Sequence, residues 1–165
     1  MTETVAIGPV RDLSEVRPLW LELAHHIQAV SPEELPDAVP DETSWERRRA
    51  EYAGWLSDPD AFGLIARTDG GAVAGYAIVS IERDHGLDDT WATAPVLAEL
   101  QSLAVSAPLR SRGVGGALLD AVEAELRARG IRELLIGAVT TNHDALRFYA
   151  RRGYTPFAVT LYRRL

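Results

Sequence analysis

The sequence of 165 residues contains no cysteine, which excludes a disulfide scaffold, a cysteine nucleophile and thiolate metal sites. It also contains no lysine, so all 17 basic residues are arginine, a bias that genomic base composition explains. No apolar run approaches the roughly 20 residues of a membrane-spanning helix. The first residues lack the basic start and apolar core of a secretory signal peptide. We therefore expect a cytoplasmic protein with no membrane partner.

Positive charge is scarce overall, and it is unevenly distributed. The formal net charge is -7, whereas proteins that bind nucleic acid through its phosphates usually carry the opposite balance. Residues 1–99 carry a net charge of -12, and residues 100–165 carry +5. The acidic half therefore suits a cationic ligand and the basic half an anionic one. We expect no nucleic-acid partner.

Hydrophobic periodicity and turn signals predict one domain, residues 1–165, with the element order β-α-α-β-β-β-α-β-α-β. This order predicts an α/β fold with a mixed, partly antiparallel central sheet and helices on both faces. The predicted strands are 5–11, 62–67, 72–82, 96–106, 134–139 and 157–165. The predicted helices are a stretch through Leu19, Leu23 and Ile27, followed by 45–56, 114–129 and 142–152.

The strand at 96–106 leads into a turn that combines glycine with arginine. Alternation along this strand predicts that Glu99, Gln101, Leu103 and Val105 share one face. Glycine lets the backbone of a turn approach an anion, and the N-terminus of the following helix favours phosphate. Arginine side chains can add charge-assisted contacts. The turn therefore predicts phosphate binding, with a tight turn that binds no ligand as the alternative.

The turn and a second motif further along the chain are the most specific signals in the sequence. The turn reads Arg110-Ser111-Arg112-Gly113-Val114-Gly115, followed by Gly116. The second motif comprises Asn142, Ala145, Phe148, Tyr149, Gly153 and Tyr154. Together they resemble the Q/R-x-x-G-x-G/A and N-x-x-A-x-x-F/L-Y-x-x-x-G-F/Y signatures of the GNAT superfamily of N-acetyltransferases. The close resemblance covers residues 96–165, and the N-terminal half matches only in element order.

The resemblance implies a GNAT-like fold with acetyl-coenzyme A as co-substrate and no metal. The pyrophosphate would bind backbone N–H groups at Arg112–Gly116. The pantetheine arm would lie in a split beside the strand that ends at Val105, where a backbone N–H acts as oxyanion donor. Asn142 would hold the arm, cap its helix, or do both. The implied cofactor-binding residues are Leu103, Ala104, Val105, Arg110, Ser111, Arg112, Gly113, Val114, Gly115, Gly116, Asn142, Ala145 and Phe148.

Direct acetyl transfer to an amine, which the resemblance implies, needs a base and an acid. A lysine-like amine has a pKa of about 10.4 and arrives protonated, and the departing thiolate profits from a proton donor. Tyr149 matches the family tyrosine that reaches the sulfur and is the expected general acid for the thiolate, with a core aromatic role beside Phe148 as the alternative. Glu99 is the expected base because partial burial in mid-sheet would raise its pKa. Its alternative is an exposed strand residue or a salt bridge.

Three residues are candidates for binding the acceptor amine. Gln101 would orient water or the acceptor, and His26 and His85 follow from where the family topology places the first helix and the loop before residue 96. All four histidines, including His25 and His143, are alternatives to Glu99 as the base. For each histidine, a surface or capping role is the other interpretation. No His/Asp/Glu spacing suggests a metal site.

The leading function is an N-acetyltransferase, an acyltransferase for a primary amine. The acidic half favours a small cationic acceptor over a protein amine. The alternatives are a non-catalytic acyl-coenzyme A sensor and an enzyme acting on proteins or aminoacyl-tRNA. Lack of a basic stripe speaks against the RNA substrate. The sequence is compatible with a monomer and with a homodimer.

Overall fold

A computed structural model describes residues 3–165. The strands are β1 (Val5–Pro9), β2 (Phe62–Thr68), β3 (Val73–Glu82), β4 (Leu97–Val105) and β5 (Leu134–Ile136). The helices are α1 (Arg17–Val30), α2 (Asp41–Trp55), α3 (Val114–Ala128) and α4 (His143–Ala150). The strands form one sheet in the order β1-β2-β3-β4-β5, antiparallel except for the parallel β4–β5 pair. The predicted α/β fold with a mixed sheet is confirmed.

The helices pack on both faces of this sheet. On one face, Trp20 of α1 and Tyr52 of α2 are buried against Tyr76 of β3. On the other, Leu119 and Val122 belong to the apolar stripe of α3, which faces β3 and β4. No helix within residues 3–165 combines the length and apolar character needed to cross a bilayer.

The pairing of β3 with β4 contains an irregularity at Gln101. Val79 stands opposite Leu100, and the preceding Ile78 stands opposite Ser102, so Gln101 has no partner on β3. One extra residue on a strand is a β-bulge, and it reverses the faces of the residues beyond it.

The bulge divides the side chains of β4 between the two faces of the sheet. Glu99 stands opposite Ser80, on the face that α1 and α2 cover. Beyond the bulge, Leu103 and Val105 pack on the face that α3 covers. The prediction that Glu99, Gln101, Leu103 and Val105 share one face is therefore wrong, because strict alternation does not continue through the bulge.

A gap opens between β4 and β5. The two strands pair over three residues each, from Ala98 opposite Leu134 to Leu100 opposite Ile136. β4 then continues to Val105, while β5 ends at Ile136 rather than at residue 139 as predicted. The edge of β4 that faces β5 is consequently unpaired over residues 101–105 within the described chain.

The predicted last strand, 157–165, is wrong. Residues 154–165 form no regular secondary structure in the structure. The ring of Phe157 packs edge-on against Trp91 of the β3–β4 loop, with ring centroids 5.4 Å apart, and Leu161 is 89% exposed. With β5 only three residues long, this segment finds no sheet partner among residues 3–165.

Candidate active site

The turn between β4 and α3 has two residues in the left-handed backbone region. Ser111 has φ 60° and Gly113, directly before α3, has φ 88°. Glycine adopts this conformation without cost, whereas serine adopts it at a cost in strain. Left-handed residues in such a turn direct successive N–H groups toward one side, where they can form a concave anion site.

The N–H groups of this turn are free to bind a ligand. Those of residues 111–116 have no hydrogen-bond acceptor within residues 3–165. The first N–H of this region with an acceptor is that of Ala117, which donates to the carbonyl oxygen of Gly113 at 2.9 Å. Free N–H groups and the positive end of the α3 dipole coincide here, an arrangement that suits a phosphate.

Three elements converge beside this turn. A methyl group placed on Gly115 would lie 3.5 Å from Cγ2 of Val105 and 3.8 Å from Cζ of Phe148. The first turn of α3, the end of β4 and α4 therefore approach one another where Gly115 has no side chain. We call this region, bounded by Val105, Gly115 and Phe148, the groove.

The two arginines of the turn contact acidic residues of the N-terminal half. Nε of Arg110 donates to the carbonyl oxygen of Val105 at 3.1 Å, and its guanidinium lies 3.7 Å from Glu22 of α1. Arg112 lies 3.8 Å from Glu3. Both arginine side chains are about half exposed, so phosphate groups could reach them after these weak pairs separate.

Asn142 caps α4. Its Oδ1 accepts a hydrogen bond from the N–H of Ala145 at 3.2 Å, which is the capping role, one of the two roles predicted for it from the sequence. Next to it, the hydroxyl of Thr141 donates to the carbonyl oxygen of Val30 at the end of α1. The loop that follows β5 is thereby tied to α1, and the amide NH2 of Asn142 has no acceptor within residues 3–165.

Tyr149 is partly buried on α4. Its ring contacts those of Phe148 and Tyr154, with centroids 5.2 and 5.8 Å away. Burial raises the pKa of Tyr149 to about 12, so the phenol keeps its proton at neutral pH. The hydroxyl of Tyr154 donates to Glu123 at 2.9 Å, whereas that of Tyr149 has no partner in the described residues.

Glu99 is partly buried on β4, next to a second carboxylate. Burial is the main cause that raises the pKa of Glu99, and the charge of Glu82 on β3 raises it further, while a hydrogen bond from Gln101 opposes both. The upward shift of this pKa agrees with the effect of partial burial that the position of Glu99 in the sheet predicts. Gln101 itself is engaged, since its Nε2 donates to Oγ of Ser80 at 2.9 Å.

The two histidines of the predicted acceptor site have different surroundings. Nδ1 of His85 accepts from the N–H of Leu87 at 3.2 Å, and Nε2 lies 3.0 Å from the carbonyl oxygen of Ala94. These bonds require a neutral ring with its proton on Nε2, and they close the β3–β4 loop. His26 lies on α1 without a hydrogen-bonded partner among residues 3–165. His25 is 2.7 Å from Asp41 and links α1 to α2.

Several residues at the site are not among those predicted from the sequence. Ser80 and Glu82 of β3 join Glu99, and Glu22 of α1 contacts the turn. For Ser80 and Glu82 the sequence did carry a signal. They lie two positions apart at the end of an apolar strand, a spacing that places both side chains on one face. Within residues 3–165, no group of three or more His, Asp or Glu side chains could hold a metal ion.

Comparison with known proteins places the site in context. Residues 20–154 match the acetyltransferase (GNAT) family, whereas no curated protein matches the chain in sequence. Among solved structures, a GCN5-related N-acetyltransferase from Ralstonia eutropha is 23% identical, with a TM-score of 0.70 over 98% of this chain and 99% of that one.

Two further solved structures have the same fold. Glucosamine-6-phosphate N-acetyltransferase from Arabidopsis thaliana is 16% identical, with a TM-score of 0.62 over 98% of this chain and 99% of that one. An aminoglycoside N-acetyltransferase in complex with CoA is 19% identical, with a TM-score of 0.66 over 100% of this chain and 98% of that one. The likeness in fold therefore includes the N-terminal half, which the two motifs do not cover.

Proposed function

Because the chain belongs to the acetyltransferase (GNAT) family, and so is an acyltransferase, we propose that it moves an acetyl group from acetyl-coenzyme A directly to a primary amine. The observation that carries this proposal is the turn before α3. Its N–H groups at residues 111–116 lack acceptors in the described chain, and they lie beside the unpaired edge of β4. These are donors for an anionic, extended ligand.

The residues around the groove fit coenzyme A. The N–H groups of Arg112–Gly116 would hold the pyrophosphate, and Arg110 would exchange Glu22 for a phosphate oxygen. The free edge of β4 at Leu103 and Val105 offers backbone groups to the amides of the pantetheine arm. Gly115 leaves the space that a Cβ would fill. When bound, acetyl-coenzyme A supplies an acetyl group activated as a thioester.

Two groups would stabilise the charges that develop during transfer. A backbone N–H near Val105 donates to the carbonyl oxygen of the acetyl group as that oxygen becomes negative. Tyr149 donates from its hydroxyl to the leaving sulfur, and its pKa of about 12 keeps that proton in place at neutral pH. A thiol with a pKa of about 8.5 is a stronger acid than this phenol. Tyr149 therefore acts first as a hydrogen-bond donor.

Glu99 would accept the proton of the incoming ammonium, directly or through water. Its carboxylate is partly buried, and burial together with the charge of Glu82 raises its pKa. A carboxylate whose pKa lies nearer to neutral pH is a better base for an amine. The raised pKa thus supports the assignment of Glu99 as general base.

The acceptor would be a small cationic amine. Glu82 and Glu99 face the same side of the sheet, and the half of the chain that contains α1, α2 and β3 carries most of the negative charge. Such a field attracts a cation. Solved structures with this fold include enzymes named for aminoglycosides and for glucosamine-6-phosphate, both of which are small amines.

The test is the release of free thiol from acetyl-coenzyme A with three acceptor classes: polyamines, aminoglycosides and lysine peptides. We expect turnover, with the highest kcat/KM for small polycations. Preference for anionic or apolar acceptors would contradict the charge argument. Tight binding of acetyl-coenzyme A without thiol release in any class would favour a sensor over an enzyme.

A further inference from the structure

Three polar side chains form a hydrogen-bonded chain across β3 and β4. Nε2 of Gln101 donates to Oγ of Ser80 at 2.9 Å, and Oγ of Ser80 donates to Oε1 of Glu82, also at 2.9 Å. Ser80 is 1% exposed, so its hydroxyl has little access to water and its two partners have little competition. This hydrogen-bonded chain, Gln101–Ser80–Glu82, therefore fixes the direction of the Glu82 side chain.

The register of the strands brings this chain to Glu99. Ser80 is the direct cross-strand partner of Glu99, and Glu82 lies two positions further along β3 on the same face. The bond to Ser80 turns the Glu82 carboxylate back along β3, toward the position opposite Glu99. Diagonal neighbours on one face of a sheet are within reach of long side chains.

The β-bulge lies within this hydrogen-bonded chain. Gln101 is the residue of β4 without a partner on β3, and its side chain reaches Ser80. In a regular strand, Gln101 would stand opposite Ile78 on the same face, and Ser102 would face α3. With the bulge, Gln101 stays on the face of Ser80 and bonds to it. Ser102 moves to that face as well, where the hydroxyl of Tyr52 lies 2.6 Å from its Oγ.

We propose that the Gln101–Ser80–Glu82 chain holds a second carboxylate beside Glu99, with Glu82 as a charged positioning residue that keeps Glu99 basic enough to serve the amine. This proposal rests on the proposed function of Glu99 as general base. A fixed negative charge favours the protonated form of a neighbouring carboxyl. Glu99 accordingly takes up a proton more readily with Glu82 ionised beside it.

Other charges around Glu99 do not supply this effect. On β5 its direct neighbour is Leu135, and Glu82 is the one charged group of the described chain that contributes to the raised pKa of Glu99. Arg48 of α2 lies on the same face of the sheet, but it acts on Tyr52 and Tyr76. Burial remains the larger cause of the raised pKa of Glu99, and the contribution from a neighbouring charge comes from Glu82.

The test is a pH titration of the Glu99 carboxyl by 13C NMR in the full-length protein, with Glu99→Gln to identify the resonance. Glu82→Gln keeps an oxygen that can accept from Ser80 but removes the charge, so we expect the Glu99 titration to move to lower pH. Ser80→Ala should move it in the same direction, and Ser80→Thr should restore it. An unchanged Glu99 titration in Glu82→Gln would overturn the proposal.

Enzyme kinetics provide a second readout. The acidic limb of the rate profile should follow the NMR titration to lower pH in Glu82→Gln and Ser80→Ala. Glu46→Gln, which neutralises an exposed carboxylate of α2, is the matched control and should leave both profiles unchanged. If the wild-type protein shows no transfer to any amine, the proposed function fails, while the NMR titration still decides whether Glu82 acts on Glu99.

Discussion

Ser80 and Glu99 stand directly opposite each other on β3 and β4, just before β4 bulges at Gln101. This pairing puts the carboxylate of Glu99 on the face that α1 and α2 cover, while Val105, beyond the bulge, has its side chain on the α3 face. One strand therefore presents the Glu99 carboxylate to the face covered by α1 and α2, and an unpaired backbone edge to the groove. Under the proposed function, the acceptor and coenzyme A would approach β4 from different sides.

Glu99→Gln should lower kcat by about a hundredfold or more, the usual contribution of a general base. In the wild type the rate should rise with pH as Glu99 loses its proton. Because burial and Glu82 raise its pKa, this rise should lie above the range of an ordinary glutamate. Rate profiles of the variant and of Asp69→Asn, a control in the β2–β3 turn, provide the check. An acidic limb that persists unchanged in Glu99→Gln would place the base elsewhere.

Gly115→Ala should weaken coenzyme A binding on the order of tenfold while leaving the stability of the free protein nearly unchanged. The added methyl group would sit at ordinary contact distance from Val105 and Phe148, so the fold accommodates it. It would, however, fill the groove. Calorimetric titration with coenzyme A and thermal unfolding measure the two effects. Gly8→Ala on β1, where a methyl group meets open space, is the control, and equal affinity in both variants would remove the groove from the binding site.

The central helices and the turn could be predicted from the sequence because their signals are local. Leu118, Val122 and Leu126 mark the buried stripe of α3, and the predicted helix 114–129 extends only one residue past the observed end. The glycine–arginine turn likewise depends on adjacent residues. Patterns of this kind do not require knowledge of distant strands.

The bulge and the polar chain could not be predicted in the same way. The bulge at Gln101 shows only in the pairing of β4 with β3, and no residue of β4 signals it. Strict alternation therefore predicts the wrong face for Leu103 and Val105. The Ser80–Glu82 contact can be related to Glu99 only once the strand register is known, because the register places Ser80 opposite Glu99. The predicted strand at 157–165 failed for a related reason, since a strand needs a partner edge and β5 offers only three residues.

Gly75→Ala should destabilise the protein by about 1–3 kcal/mol, the usual cost of overpacking. A methyl group there would lie 2.7 Å from the carbonyl oxygen of Ala104 and 2.9 Å from Leu118. The backbone of β4 would have to move to relieve this contact. Urea unfolding should give a lower midpoint for this variant than for the wild type, whereas Gly54→Ala, at an exposed position on α2 with open space, should not lower it. A wild-type midpoint in Gly75→Ala would show that β4 yields at no cost.

Asn142→Ser should separate the two roles of this residue. Serine caps a helix about as well as asparagine, so stability should be retained, but the amide NH2 group is lost. If that group binds the pantetheine arm, coenzyme A affinity falls in Asn142→Ser as it does in Asn142→Ala. The alanine variant should also lose about 1 kcal/mol of stability with the cap. Wild-type affinity in Asn142→Ser would leave Asn142 with the capping role alone.

The most direct test of acetyl transfer at this site is kcat for thiol release in Tyr149→Phe, with the Kd of acetyl-coenzyme A measured on the same samples. Phenylalanine keeps the ring packed against Phe148 and Tyr154 and removes only the hydroxyl, which has no partner within residues 3–165. We predict that kcat falls by about a hundredfold while Kd stays close to the wild-type value. Equal kcat in the two proteins would contradict the role of Tyr149 at the leaving sulfur.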